Sequence, residues 1–254
     1  MRESKYFIDL LSLKSEMQYR GYSLSTQNTY SKTVEEFLEF VDKDTIDIKR
    51  EDVIRYLDKK LETVKSNTVL VKLNALQFFF EEILGLNITE NIRKYKRIFN
   101  TKDFMSLEQF NILVASVQPR EQLIYKIVFE TGMLIEEIVE LELSDIKNTS
   151  GHWQLKENMI SSELAKEILI YTDRKYIDGK IFDVKGAVIR YWNRENTQNF
   201  LGKQYTFKDI RHSIALEKFL KLGREKEAAK YLRNKDVQAI RQYYRRAGYD
   251  YNSK

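Results

Sequence analysis

Residues 206–243 read TFKDIRHSIALEKFLKLGREKEAAKYLRNKDVQAIRQY. Apolar side chains recur at helical spacing, and the stretch resolves into helices over 206–223, 224–232 and, running past its end, 237–248. It is also basic. Residues 201–254 carry 14 Lys or Arg against 6 Asp or Glu, a local charge of +8. The chain as a whole has 254 residues and a net charge of only +5. Residues 101–170 carry 6 basic and 12 acidic side chains, and residues 1–100 carry 17 and 16. A basic C-terminal end on a near-neutral chain suggests a polyanion partner. A lysine-rich solvated surface is the competing explanation.

Upstream, ETGMLIEEIVELELSDI at residues 130–146 follows a strongly apolar helix that Gly132 ends. The periodicity predicts another helix over LIEEIVELELSDI. HWQL at 152–155 and KIFDV at 180–184 are short strand candidates, and a helix is expected over 186–195. The N-terminal third reads as four helices: residues 4–20, a second through TYSKTVEEFLEFVDK, a third in REDVIRYLDKKLE and a fourth in SNTVLVKLNALQFFFEEILG. The intervening NIRKYKRIFN, residues 91–100, has four basic residues and no acidic one, and reads as a linker.

Composition narrows the chemistry. One Pro and nine Gly leave too few turn residues for a sandwich or barrel. With no Cys, disulfides, thiolate metal sites and cysteine nucleophiles are excluded. Two His, His152 and His212, do not make a histidine-rich metal site. No apolar signal or spanning segment is visible, so a soluble cytoplasmic protein without membrane partners is the expectation.

Two stretches resemble the boxes of the tyrosine recombinase (phage integrase) family, Xer-like in pattern. The first is usually T-G-(M/L)-R-(I/P)-x-E-(L/I)-x-x-L-x-x-x-D. Thr131, Gly132, Met133, Ile135, Glu137, Leu141 and Asp145 fit it, but Leu134 occupies the arginine position. The second is usually H-x-L-R-H-(T/S)-x-A. Asp209, Ile210, Arg211, His212, Ser213 and Ala215 fit, and Lys208 stands at the first His. Without a gap, the family's L-G-H falls on Leu232, Arg233 and Asn234, and nine residues later comes Tyr243. The resemblance implies a mainly α chain: a helical core-binding (SAM-like) bundle at 1–90, a basic linker at 91–103, and a catalytic-type domain at 104–254 with a small β-sheet.

It also implies roles. In this family a tyrosine attacks a DNA phosphorus and forms a 3′-phosphotyrosyl link, without metal or cofactor. Two guanidiniums neutralise the phosphate oxygens, and Lys and His side chains serve the proton transfers. Here Tyr243 matches the nucleophile, with Tyr244 a one-residue alternative. Arg211 matches the second arginine, and Lys208, His212 and Asn234 match accessory positions. Lys156 is a weak match for a hairpin lysine. DNA contacts are expected from Arg93, Lys94, Lys96 and Arg97 in the linker and from Arg241, Arg245 and Arg246 around Tyr243.

Leu134 argues against full activity, because losing one transition-state donor costs about 10²–10³ in rate. Three readings stay open: a DNA-binding protein with impaired catalysis, an active recombinase in which another basic residue reaches the Leu134 space, and a helical interaction module without DNA binding. The expected partner is double-stranded DNA. Self-association is expected to depend on DNA, with a monomer when free.

Overall fold

The computed structural model describes residues 6–92, 95 and 103–248. The linker arginines and lysines Arg93, Lys94, Lys96 and Arg97 lie outside the described residues. The chain divides into two compact units, Met1–Phe99 and Asn100–Lys254.

The first unit is a helical bundle of α1 (Phe7–Tyr19), α2 (Leu24–Val41), α3 (Arg50–Leu61) and α4 (Ser66–Gln77). Ser23 accepts from the Thr26 amide and starts α2. α4 widens into a π turn over Phe78–Ile83, where the Leu84 amide donates to the Phe79 carbonyl. Phe79 and Phe80 are both buried beside Phe37, Leu38, Tyr56 and Leu73. Each such side chain contributes about 1.5–3 kcal/mol of burial. Glu36 sits at the bundle surface and accepts from Lys60, from Lys72 at 2.6 Å and from Tyr56 at 3.0 Å. Partial burial raises its pKa, but these donors outweigh that and bring it from 4.5 to about 2.

The second unit is helical around a small sheet. α5 (Leu107–Ser116) begins at a capping box between Ser106 and Gln109. α6 (Pro119–Thr131) carries the chain's one Pro at its first turn, where the missing N–H costs nothing. One helical turn, α7 (Ile135–Ile138), follows. Strands β1 (Ile146–Thr149), β2 (His152–Leu155) and β3 (Asn158–Ile160) form an antiparallel sheet in sequence order, pairing Ile146 with Leu155 and Trp153 with Ile160. Then come α8 (Ser162–Arg174), α9 (Gly186–Leu201), α10 (Phe207–Lys218), α11 (Glu225–Leu232) and α12 (Val237–Arg246).

The main core joins α5, α6, α8 and α10 through Leu113, Ile127, Ile168 and Ile210. A smaller cluster of Leu216, Leu220, Ala228, Ile240 and Tyr244 holds α10, α11 and α12 together.

Three local expectations change. The helix over LIEEIVELELSDI shortens to α7, because the chain beyond it pairs with residues 179–181. Leu143 donates to the Gly179 carbonyl and Ile181 to Leu141, which draws the backbone out of α-helical geometry and leaves only a 3-10 turn at Leu143–Asp145. KIFDV forms no strand: it keeps a single bridge from Lys180 to Glu142 and then turns, with the Val184 amide donating to Phe182. Helix α8 is additional, started by Ser161, whose hydroxyl accepts from the Leu164 amide. No helix among the described residues is long and apolar enough to cross a membrane.

Candidate active site

A cleft of about 730 Å³ opens between α7, α9, α10 and α12. Its walls include Leu134, Arg190, Lys208, Arg211, His212 and Tyr243. The separation of these residues in sequence is bridged by four short-range devices.

The first is the start of α10. Thr206 and Asp209 form a reciprocal capping box: the Asp209 amide donates to Thr206 Oγ1 at 3.1 Å, and the Thr206 amide donates to Asp209 at 3.0 Å. With the helix phase so set, Lys208, Arg211 and His212 lie three and four residues apart on one face. Lys208 is exposed at the rim and Arg211, 8% exposed, lies beneath it. The Nε and Nη2 atoms of Arg211 have no hydrogen-bond partner among the described residues. Burial pulls its pKa below the usual guanidinium value. The group stays cationic all the same, so a buried charge with open donors faces the cleft.

The second device is Gly132, at φ +67° at the end of α6. A Cβ there would stand 2.2 Å from the Tyr231 carbonyl oxygen. Only glycine lets the first box approach α11 so closely. Tyr231 reinforces the join by donating to the Val128 carbonyl at 2.6 Å.

The third is Glu137. It accepts from the Leu134 amide at 2.7 Å, capping α7, and pairs with Arg233 after α11. Leu134 is thereby turned outward with 41% of its surface exposed. Arg233 closes α11 in the left-handed conformation, and Asn234 follows at the cleft edge, its side-chain oxygen accepting from the Asp236 amide at 3.0 Å.

The fourth is α12. Asp236 caps it, accepting from Gln238 at 2.8 Å. Ile240 and Tyr244, one turn apart, are buried, and this presents Tyr243 to the cleft. The Tyr243 ring stacks on the His212 imidazole, centroids 4.1 Å apart, and Lys208 Nζ lies 5.8 Å from the ring centre. Tyr244 points the other way: its hydroxyl donates to the His212 carbonyl at 2.7 Å and lies 3.1 Å from His212 Nδ1. Since the Tyr244 proton is committed to the carbonyl, Nδ1 is the donor in the second contact. Neutral His212 therefore carries its proton on Nδ1 and keeps Nε2 as the basic nitrogen.

Of the cations expected around Tyr243, Arg245 and Arg246 are exposed at the end of α12. Arg241 is bound through two nitrogens to Glu225 and ties α12 to α11. Lys156 stands in the turn between β2 and β3, 3.7 Å from Asp145, and is not part of the cleft wall. His152 is an exposed first residue of β2.

Arg190 and Arg194 were missed by motif reading. They lie one turn apart on α9, which belongs to neither box, and both line the cleft. The usable signal is the polar pair Asn193 and Thr197 beside them. Asn193 accepts from Tyr125 at 2.9 Å and donates to the Tyr205 carbonyl at 2.6 Å, while Thr197 accepts from the Tyr205 amide at 3.1 Å. This buried network fixes α9 to the segment that leads into α10. No cluster of three or more His, Asp or Glu able to hold a metal occurs among the described residues.

A family model described as the phage integrase N-terminal SAM-like domain matches residues 10–90. The tyrosine recombinase XerA of Saccharolobus solfataricus is 25% identical, over 88% of this chain and 83% of that protein. The tyrosine recombinase XerC of Leptospira interrogans is 22% identical, over 88% and 74%. Along most of its length this chain is thus similar to tyrosine recombinases. In fold, the chain resembles lambda integrase solved as a tetramer on a Holliday junction, with a TM-score of 0.75, 14% identity and coverage of 97% and 79%. It also resembles the site-specific recombinase XerH in its post-cleavage complex, with a TM-score of 0.72, 16% identity and coverage of 96% and 86%.

Proposed function

We propose that this chain is a tyrosine recombinase family member that binds double-stranded DNA, seats one backbone phosphate in the cleft against Arg211 and Lys208, and cleaves weakly because Leu134 supplies no guanidinium. The observation that carries this reading is Arg211: a cation 8% exposed, with two nitrogens lacking hydrogen-bond partners among the described residues, in the wall of an open cleft. Burying a charge there with two donors open costs stability that the Glu137 carboxylate offsets only in part, and an incoming phosphate oxygen supplies the missing partner.

The chemistry follows from the wall. Tyr243 Oη forms a bond to phosphorus as the P–O5′ bond breaks, giving a 3′-phosphotyrosyl link and a free 5′ end. The tyrosine proton passes to water as the bond forms, and the departing 5′ oxygen takes a proton from the Lys208 ammonium, whose Nζ lies 5.8 Å from the Tyr243 ring centre. A 5′-hydroxyl reverses the step, so no nucleotide or metal is required to conserve the bond energy. His212 packs and orients Tyr243, and Asn234 donates at the rim. Residues 1–90 act as the core-binding domain, residues 104–254 as the catalytic-type domain, and Arg93, Lys94, Lys96, Arg97, Arg245 and Arg246 contribute phosphate contacts. Two copies or more assemble only on DNA.

An active recombinase is the second reading. It is favoured by Arg190 and Arg194, which bring further guanidiniums into the same cleft. A trapping assay separates the readings. Nicked or phosphorothiolate duplexes are incubated with the protein and run on a denaturing gel. The proposal expects salt-sensitive binding with a faint or absent covalent band. A strong band lost in Tyr243→Phe supports the active enzyme, and absence of any duplex binding overturns both.

A further inference from the structure

We infer that Arg190 of α9 takes the place of the guanidinium missing at Leu134 and contacts the same DNA phosphate as Arg211, with Glu136 holding it until DNA arrives. This rests on the phosphate site proposed above and adds to it a residue outside either sequence box.

The geometry carries the inference. Arg190 pairs through Nη2 with Glu136, two residues beyond Leu134. A methyl group at Gly186 would lie 3.2 Å from Arg190 Nη1 and 3.4 Å from Ile135 Cγ2. The guanidinium is therefore folded back over the first turn of α9, against the residue that follows Leu134, in space that Gly186 leaves open. Leu134, Arg190 and Arg211 wall one cleft. The helix beneath is held firmly, because Asn193 is buried and bonded to both Tyr125 and Tyr205.

The pair with Glu136 is suited to exchange. Arg190 is 49% exposed and Glu136 64% exposed. An ion pair so open to water is weak and is easily given up for a phosphate in a cleft that Arg211 already makes positive. Arg194, in contrast, lies over the Tyr191 ring and 3.9 Å from Glu195, on the next stretch of α9.

The test is fluorescence anisotropy of the full chain with a fluorescein-labelled duplex of mixed sequence, titrated over a series of salt concentrations. Each phosphate contact adds about 0.9 to the slope of log affinity against log salt. Arg190→Gln is expected to lower the slope by about that amount, and Arg190→Lys to restore it. Glu136→Gln is expected to tighten binding, and to lose this gain when combined with Arg190→Gln. Leu134→Arg is expected to rescue Arg190→Gln, which marks a shared phosphate. An unchanged slope in Arg190→Gln, or a Glu136→Gln gain that persists without Arg190, overturns the inference while wild-type binding leaves the phosphate site standing. Absence of wild-type binding overturns both.

Discussion

Tyr244 donates its hydroxyl proton to the backbone carbonyl of His212 at 2.7 Å, across 32 residues of sequence. The contact locks α12 against α10 and, by filling the inner side of the helix with Tyr244, leaves the adjacent Tyr243 facing the cleft. Two neighbouring tyrosines are thereby given opposite tasks.

Tyr244→Phe should therefore cost more stability than Tyr243→Phe. Removing a buried hydroxyl and stranding its acceptor costs about 1–3 kcal/mol. Urea denaturation of both variants checks the ranking, and the opposite order would identify Tyr244 as the cleft residue.

Arg211→Met should separate binding from folding. Replacing an unpartnered buried cation with an apolar side chain should leave stability within about 1 kcal/mol of wild type, or raise it, while duplex affinity collapses. Thermal melting and anisotropy are the paired measurements. A large loss of stability would instead mark Arg211 as a structural ion-pair member.

Leu134→Arg should be tolerated, since the position is 41% exposed. Stability should stay within about 0.5 kcal/mol of wild type. In the Arg190→Gln background, restoring a donor aimed at the phosphate should raise covalent trapping by about 10²–10³, read as the rate of band formation on a denaturing gel.

Gly132→Ala should destabilise by about 2 kcal/mol or more. The added Cβ meets a backbone oxygen at 2.2 Å, and φ is +67°. A lowered urea midpoint with an unchanged slope is the expected result.

Glu36 should contribute an acid-labile part of the stability. Its pKa is lowered on folding, so the unfolded chain binds more protons between pH 4.5 and about 2. The contribution is complete above 4.5 and is lost as pH falls through about 2. Because the side chain is 37% exposed, the full linkage value is discounted to about 1 kcal/mol. Glu36→Gln should lower neutral-pH stability by roughly that amount and flatten this part of the acid titration, followed by circular dichroism.

Much of the architecture was legible locally. Helices α1 to α4 and α9 to α12 follow from apolar spacing, and Ser23, Ser106 and Gly132 mark boundaries through their own side chains or lack of one. What failed was local sequence that answers to distant partners. Residues 139–146 have a helical period, yet the backbone pairs with residues 179–181 through Leu141 and Leu143 and keeps only a 3-10 turn at Leu143–Asp145. The site divides the same way. Arg211, Lys208, His212 and Tyr243 were found because three short helices keep them in fixed register. Arg190 belongs to neither box, and the polar pair beside it, Asn193 and Thr197, does not say which elements α9 packs against.

Residues 206–243 by themselves determined the helices and the spacing from Arg211 to Tyr243, and residues 130–146 determined the absence of a guanidinium at Leu134. These are properties of covalent order and of helical periods. Only the tertiary structure decided that Tyr243 rather than Tyr244 lines the cleft, that Arg241 is spent on Glu225, and that Arg190 pairs with Glu136 in the cleft that Leu134 also lines. Those outcomes depend on which surfaces pack together, and burial is a property of pairs of elements that no single segment carries.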